Sequence, residues 1–124
     1  MHEYSISSSI VKTVIASAKD NNASKVIGIN LEIGDLVFLN PEQVEFWLRE
    51  LSKGTIAQDA KIRIKKILPR IKCLDCSYEG RMRFEDNPLY HICSPSFFCP
   101  ECNSYNIEIS KGRECLISNI EVLA

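Results

Sequence analysis

Two cysteine pairs, Cys73-Leu-Asp-Cys76 and Cys99-Pro-Glu-Cys102, decide how the C-terminal half of this 124-residue chain folds. The two-residue spacer in each pair lets a tight turn bring both sulfurs to one point. Two such turns that face each other form a tetrahedral sulfur cage, the geometry that Zn(II) prefers in a closed structural site. The 22 residues between the pairs exceed the usual spacing, so we expect a loop to bulge out there. A sulfur-only cage is scaffolding, and the function has to be sought elsewhere.

The four thiols have two alternative uses, redox cycling and an iron site for electron transfer. A redox pair would need to lie at the start of a helix in a thioredoxin-like βαβ unit, and neither pair is predicted there. Two pairs together are better explained as one cage, so we predict structural zinc. Of the other cysteines, Cys115 opens an alternating strand and is expected to be a small buried hydrophobe, whereas Cys93 is expected to have no role.

Composition limits the classes of protein to which the chain can belong. The net charge is −1, the pI about 6.1 and the apolar content 45%, which supports a real core without a global attraction to nucleic acid or anionic lipid. No apolar run is long enough to span a bilayer, and the N-terminus lacks the pattern of a secretory signal. We therefore expect reduced, metal-bound thiols in the cytoplasm and no membrane partner.

A basic stretch, residues 61–72, holds six basic residues and no acidic one. Because zinc ribbons often bind nucleic acid, a nucleic-acid-binding zinc ribbon is the main alternative function. We expect the stretch to be a solvated strand face instead, since residues 69–106 carry four basic and five acidic residues and thiolates would add further negative charge.

The apolar spacing before the cysteines predicts two helices and two strands. Tyr4–Asp20 has helical spacing with one apolar face, and residues 27–33 alternate as a half-buried strand. Asn40-Pro41 begins a second helix, with Asn as the cap and Pro in the first turn. Residues 61–65 form a second strand, which Pro69 closes. The inner face of the second helix is expected to hold Val44, Trp47, Leu48 and Leu51.

Alternation returns after the second cysteine pair, in a short strand at residues 107–109 and a last strand at 116–122. The predicted class is α+β, with two helices packed on a small β-sheet and an inserted zinc-ribbon-like module. We expect residues 1–69 and 107–124 to form an α+β domain and residues 70–106 to form the inserted zinc-binding domain. The insert has too few apolar residues for its own core, so a metal would supply its stability.

The first three residues, Met1-His2-Glu3, offer a set of nitrogen donors. The free α-amine and the His2 amide nitrogen close a five-membered ring on a metal, and the His2 amide and Nδ1 close a six-membered one. The Glu3 amide nitrogen can complete a planar set of four, which suits Ni(II) or Cu(II) and not tetrahedral zinc. An ordinary frayed terminus is the alternative interpretation.

Met1-His2-Glu3, the helix behind it, the strand end Ile33-Gly34-Asp35-Leu36 and the paired Cys-x-x-Cys motifs together resemble the HypA/HybF family of hydrogenase nickel-incorporation proteins. The resemblance covers essentially the whole chain. It implies a metallochaperone that delivers Ni(II) toward the large subunit of nickel–iron hydrogenase, in some organisms also toward urease, with the GTPase HypB as partner. It implies transferable nickel at Met1, His2 and Glu3. It also implies structural Zn(II) at Cys73, Cys76, Cys99 and Cys102.

The loop Asp86–Phe98 is longer than the common connection in this family and resembles the extended loop of archaeal-type members, in which a histidine can join the nickel. His91 is the histidine that could do so here, and a solvated loop histidine is the alternative. With only two histidines, no Gly-rich phosphate loop and no nucleophile elbow, the chain is not predicted to be an enzyme. A monomer or a weak homodimer is expected.

Overall fold

The computed structural model describes residues 2–81 and 97–124. Contacts divide the chain into two compact units, and each is described by itself. The first comprises Met1–Ile33, Leu39–Lys65 and Leu116–Ala124, and the second comprises Gly34–Phe38 and Lys66–Cys115. The predicted α+β class is confirmed, with two α-helices and two three-stranded sheets in the described residues.

The first unit is built on two helices that pack against each other. Helix α1 spans His2–Asp20 and α2 spans Pro41–Ser52. The predicted Asn40 cap is confirmed, since its side chain accepts hydrogen bonds from the amides of Glu42 and Gln43 at 3.0 and 3.4 Å, which satisfies two amides that have no partner inside the helix. The buried positions recur every three or four residues, as an inward-facing helix requires; they are Ile10, Val11, Val14, Ala18, Val44 and Leu48.

The sheet of the first unit has the order β2-β1-β6, in which β1 is Lys25–Gly34, β2 is Lys61–Ile67 and β6 is Cys115–Leu123. Ile29, Leu31 and Ile33 are buried as the alternation predicted, whereas Ile27 is 38% exposed. The other face of the sheet is polar, because Arg63 of β2 lies 3.1 Å from a carboxylate oxygen of Glu121 on β6.

The second unit contains a sheet with the order β4-β3-β5, all antiparallel, in which β3 is Arg70–Cys73, β4 is Glu79–Arg81 and β5 is Ile107–Lys111. Strands β3 and β4 are absent from the prediction. In β3, Ile71 and Cys73 point inward and are each 1% exposed, so a metal-binding residue occupies a core position of a strand.

The unit boundaries differ from the predicted domain boundaries at 69/70 and 106/107. Residues 107–115 lie with the cysteine-containing unit, because β5 pairs with β3 and not with β1. A short 3-10 turn at Asp35–Val37 also belongs to this unit, since the amide of Leu36 donates to the carbonyl of Gly112 at 2.9 Å. The insert therefore uses residues from before and after the segment that holds the cysteines.

Candidate metal centre

Four sulfurs converge in the second unit. The Sγ atoms of Cys73, Cys76, Cys99 and Cys102 all lie within 4.8 Å of one another. The Cys73–Cys102 and Cys76–Cys99 sulfurs are each separated by 3.6 Å. A tetrahedron with zinc–sulfur bonds of about 2.3 Å has edges of about 3.8 Å, so the four thiols fit a zinc ion.

The two cysteine turns have the same backbone hydrogen bonds, although their sequences differ. In the first, the amide of Cys73 donates to the carbonyl of Tyr78 at 2.8 Å and the amide of Ser77 donates back to Cys73 at 3.1 Å. In the second, Cys99 donates to Ser104 at 2.8 Å and Asn103 donates to Cys99 at 2.9 Å.

The fifth residue of each turn is left-handed, with φ of 64° at Ser77 and 61° at Asn103. Asn adopts this conformation more readily than most residues, so Asn103 could have indicated the second turn from sequence. Ser77 gives no such indication. Each turn also buries its first cysteine and leaves its second one exposed.

Backbone amides lie close to the sulfur of the first cysteine in each turn. The amide of Cys76, followed by that of Asp75, favours the Cys73 thiolate and lowers the pKa of Cys73 to about 7, against the opposing effect of burial. In the second turn, the amide of Glu101 donates to the sulfur of Cys99 at 3.4 Å. The first turn therefore favours negative charge on the Cys73 sulfur.

Not all four sulfurs can be charged without a cation. A hydrogen bond from the backbone of Tyr78 favours the Cys76 thiolate, but partial desolvation of this exposed side chain and the neighbouring sulfurs outweigh it and raise the pKa of Cys76 to about 12. The same balance raises the pKa of Cys102, where the favourable backbone bond involves Ser104. A divalent ion would remove this repulsion, and a coordinating thiol is then deprotonated outright.

A polar link between the two turns was not predicted. The Asp75 carboxylate accepts a hydrogen bond from the Ser104 hydroxyl and one from Asn106 Nδ2 at 3.2 Å. These bonds, first the one from Ser104, lower the pKa of Asp75. Nothing in the spacing of the cysteines indicated this link.

At the other end of the chain, α1 begins at His2, and Glu3 is a half-buried residue of its first turn. Met1, the His2 side chain, His91 and Cys93 lie outside the part that the structure describes. Cys115 is half-buried, whereas a small buried hydrophobe was predicted, and burial raises its pKa.

Almost the whole chain is similar to a known protein family. A family model described as "Hydrogenase/urease nickel incorporation, metallochaperone, hypA" matches residues 1–122. The chain belongs to the HypA family. Two HypA hydrogenase maturation factors illustrate the match: the protein of Methanothermobacter thermautotrophicus is 41% identical over 98% of this chain and 97% of its own length, and that of Methanocaldococcus jannaschii is 35% identical over the same shares.

Solved structures of HypA proteins share the fold. One described as the solution structure of HypA protein aligns with a TM-score of 0.70 at 26% identity, over 99% of this chain and 97% of the other. The solution structure of the Ni metallochaperone HypA from Helicobacter pylori aligns with a TM-score of 0.66 at 24% identity, over 98% and 97%.

Membership of the HypA family places the chain among metallochaperones for hydrogenase maturation and not among enzymes, as the sequence predicted. It also favours a metallochaperone over the alternative nucleic-acid-binding zinc ribbon. Neither α1 nor α2, in the part of the chain that the structure describes, has the length and apolar character that a bilayer span requires.

Proposed function

We propose that this chain binds Ni(II) as transferable cargo through Met1, His2 and Glu3 and delivers it for the maturation of nickel–iron hydrogenase. The observation that carries the proposal is the family match, which runs from residue 1 and so includes the three N-terminal residues. Urease is proposed as a second client because the family description names it beside hydrogenase.

The start of α1 supports the nickel site. The first four amides of a helix have no acceptor inside that helix, so the amides of His2 and Glu3 can lose their protons and bind nickel without breaking a helical hydrogen bond. A helix N-terminus repels cations. Two deprotonated amides, however, would supply two negative charges, which balance the charge of Ni(II).

We propose that Cys73, Cys76, Cys99 and Cys102 hold a structural Zn(II). The separations of 3.6 Å between sulfurs of opposite turns support this assignment. So does the small apolar core of the second unit, in which Ile71, Cys73 and Cys99 are the buried apolar residues among those that the structure describes. When bound, zinc would neutralise the charge of the thiolates and would link the two turns through its bonds to sulfur. Nickel at the chain terminus can be released, whereas a closed sulfur cage retains its ion.

The partners follow from the same proposal. We propose that the GTPase HypB acts with this chain, and that the large subunit of hydrogenase receives the nickel. The chain itself is proposed to be a monomer or a weak homodimer. Sedimentation at several protein concentrations tests the oligomeric state, and nickel transfer from loaded chain to metal-free hydrogenase large subunit, with and without HypB and GTP, tests the route.

The decisive experiment is metal analysis of protein that carries a native N-terminus, before and after addition of nickel. The parent should hold one zinc and acquire one nickel with the absorption of square-planar Ni(II). His2→Ala should keep the zinc and lose the nickel. His91→Ala is the matched control, and a partial loss there would add the loop histidine as a ligand. Protein acetylated at Met1 that takes up nickel as tightly as the parent would refute the N-terminal site.

A further inference from the structure

We infer that Asp75 is a positioning residue that clasps the two cysteine turns together and thereby strengthens the binding of zinc by the cage. Asp75 is not a metal ligand in this arrangement. It acts through the two turns that carry the metal-binding cysteines. The inference rests on the zinc site proposed above and concerns a side chain that the resemblance to the HypA family does not assign.

The clasp uses both oxygens of one carboxylate. Asp75 Oδ2 accepts from the hydroxyl of Ser104, and Oδ1 accepts from Asn106 Nδ2 at 3.2 Å. Asp75 lies between the cysteines of the first turn, whereas Ser104 and Asn106 follow the cysteines of the second turn. One side chain therefore bonds twice across the gap between the two turns.

Both donors are themselves fixed in the second turn. The carbonyl of Ser104 accepts the amide of Cys99 at 2.8 Å, and the Ser104 hydroxyl accepts the amide of Asn106 at 3.0 Å. Beside the clasp, the amide of Leu74 donates to the carbonyl of Asn106 at 3.0 Å. A shift of Asp75 relative to Ser104 would therefore move a buried metal-binding cysteine.

Asp75 is equally fixed to the first turn, because it lies between Cys73 and Cys76 in a turn that the amide of Ser77 closes by donating to the carbonyl of Cys73 at 3.1 Å. Its backbone is thus held between two metal ligands while its side chain bonds to the turn that carries the other two. The turns come from segments 22 residues apart, and bringing such segments together costs loop-closure entropy. Bonds between the turns that do not involve the metal offset part of that cost and keep the sulfurs converged.

The second turn supplies an internal control. Glu101 occupies the position in Cys99-Pro-Glu-Cys102 that Asp75 occupies in Cys73-Leu-Asp-Cys76, and it is exposed. Among the residues that the structure describes, none forms a hydrogen bond or ion pair with the Glu101 carboxylate. Substitution of either acid by Ala removes one negative charge close to the cage, but only the substitution of Asp75 also removes the clasp.

The test compares Asp75→Ala with Glu101→Ala, and measures the zinc affinity of the full chain by competition with a chelator. Alanine is used because an asparagine could still accept from Asn106 and donate to the Ser104 hydroxyl, which would keep the link. Outer-shell partners of metal ligands typically contribute 10- to 100-fold in affinity, so we expect Asp75→Ala to weaken zinc binding by about tenfold or more. Glu101→Ala should change it by no more than about fivefold, as for an exposed charge.

A second measurement separates positioning from general destabilisation. Ser104→Ala should weaken zinc binding, and the double variant Asp75→Ala/Ser104→Ala should bind about as well as the weaker single variant, because both remove the same link. Spectra with Co(II) in place of zinc should show the four-sulfur tetrahedral set in every variant, which checks that the cage still forms.

Equal losses in Asp75→Ala and Glu101→Ala would show that charge alone matters, and additive losses in the double variant would show that no link exists. Either result overturns the clasp while leaving the zinc site intact. A parent protein that binds no zinc would refute the proposed zinc site itself, and the inference with it.

Discussion

For the substitution Gly34→Ala, backbone propensity and packing predict opposite changes in the stability of the protein. Gly34 has φ of −71° and ψ of 139°, which any residue can adopt. Where the conformation is compatible, replacing Gly by Ala usually stabilises a protein by about 0.4–1 kcal/mol, because it restricts the unfolded chain. Propensity alone therefore predicts a small gain in stability.

Packing predicts a loss. A methyl carbon on Gly34 would lie 2.8 Å from Gly112 Cα and closer still to the carbonyl carbon and oxygen of Gly112. Because carbon atoms in contact are about 3.5–4.0 Å apart, one backbone segment must move by roughly 1 Å. Gly112 cannot yield easily, since it is itself left-handed, with φ of 99°, and its own Cβ position is 2.9 Å from Pro69 Cα.

The movement would strain two backbone hydrogen bonds, from Gly34 to Glu114 at 2.8 Å and from Leu36 to Gly112 at 2.9 Å. Overpacking costs about 1–3 kcal/mol, and each lost hydrogen bond adds about 0.5–1.5 kcal/mol. After subtraction of the gain from propensity, the net destabilisation of the second unit is roughly 1–5 kcal/mol.

Hydrogen exchange measured by mass spectrometry on zinc-loaded protein checks this prediction unit by unit. Gly34→Ala should speed exchange in residues 66–81 and 97–115. The matched control is Gly54→Ala, where φ is 77° and nothing lies within 4 Å of the new methyl group; it should cost about 1–2 kcal/mol through backbone strain alone, and only in the first unit. Unchanged or slower exchange in the second unit of Gly34→Ala would refute the packing argument.

Three further predictions concern the helices and the cage. Asn40→Ala should lower the free energy of unfolding of the first unit by about 1 kcal/mol through loss of the cap, and Asn40→Asp should restore it; equal stability of the two variants would contradict this. Ser52 has a buried hydroxyl without a hydrogen-bond partner among the described residues, so Ser52→Ala should raise the Tm, whereas Ser7→Ala should lower it because Ser7 donates to the carbonyl of Val44. Zinc binding at pH 7 should release at least two protons, since the pKa of Cys76 is raised to about 12 and that of Cys102 is also raised. The affinity for zinc should therefore increase with pH. Calorimetry in buffers of different ionisation enthalpy counts the released protons, and a count near zero would contradict the thiol pKa values.

Sequence predicted the helices well because their signals are local and redundant. The apolar residues of α1 recur at helical spacing. Helix α2 adds a first-turn Pro and a capping Asn, and the structure contains the hydrogen bonds of that cap. Trp47 shows where that inference ends, since it has core spacing but is only half-buried. Its ring makes an edge-to-face contact with the ring of Tyr4, and the two ring centroids are 4.9 Å apart. Spacing gives the side of a helix and not the depth of burial.

The strands of the second unit could not be predicted for two different physical reasons. Strand β4, Glu79-Gly80-Arg81, contains no apolar side chain and therefore carries no alternation signal. Strand β3 does alternate, but Cys73 fills the inward position where an aliphatic residue is expected. A cysteine that is counted as a metal ligand is easily overlooked as a core residue of a strand, and here Cys73 is both.

The link through Asp75 shows what separates a motif from a site. The Cys-x-x-Cys spacing fixes the geometry inside each turn, because only two residues separate the sulfurs. It does not fix how one turn faces the other. That relation is set by the pairing of β3 with β5, in which Cys73 lies opposite Ile107. Continuing the antiparallel register past Cys73 brings Asp75 between Ser104 and Asn106, so the partners of the carboxylate depend on a strand pairing that a single sequence does not reveal.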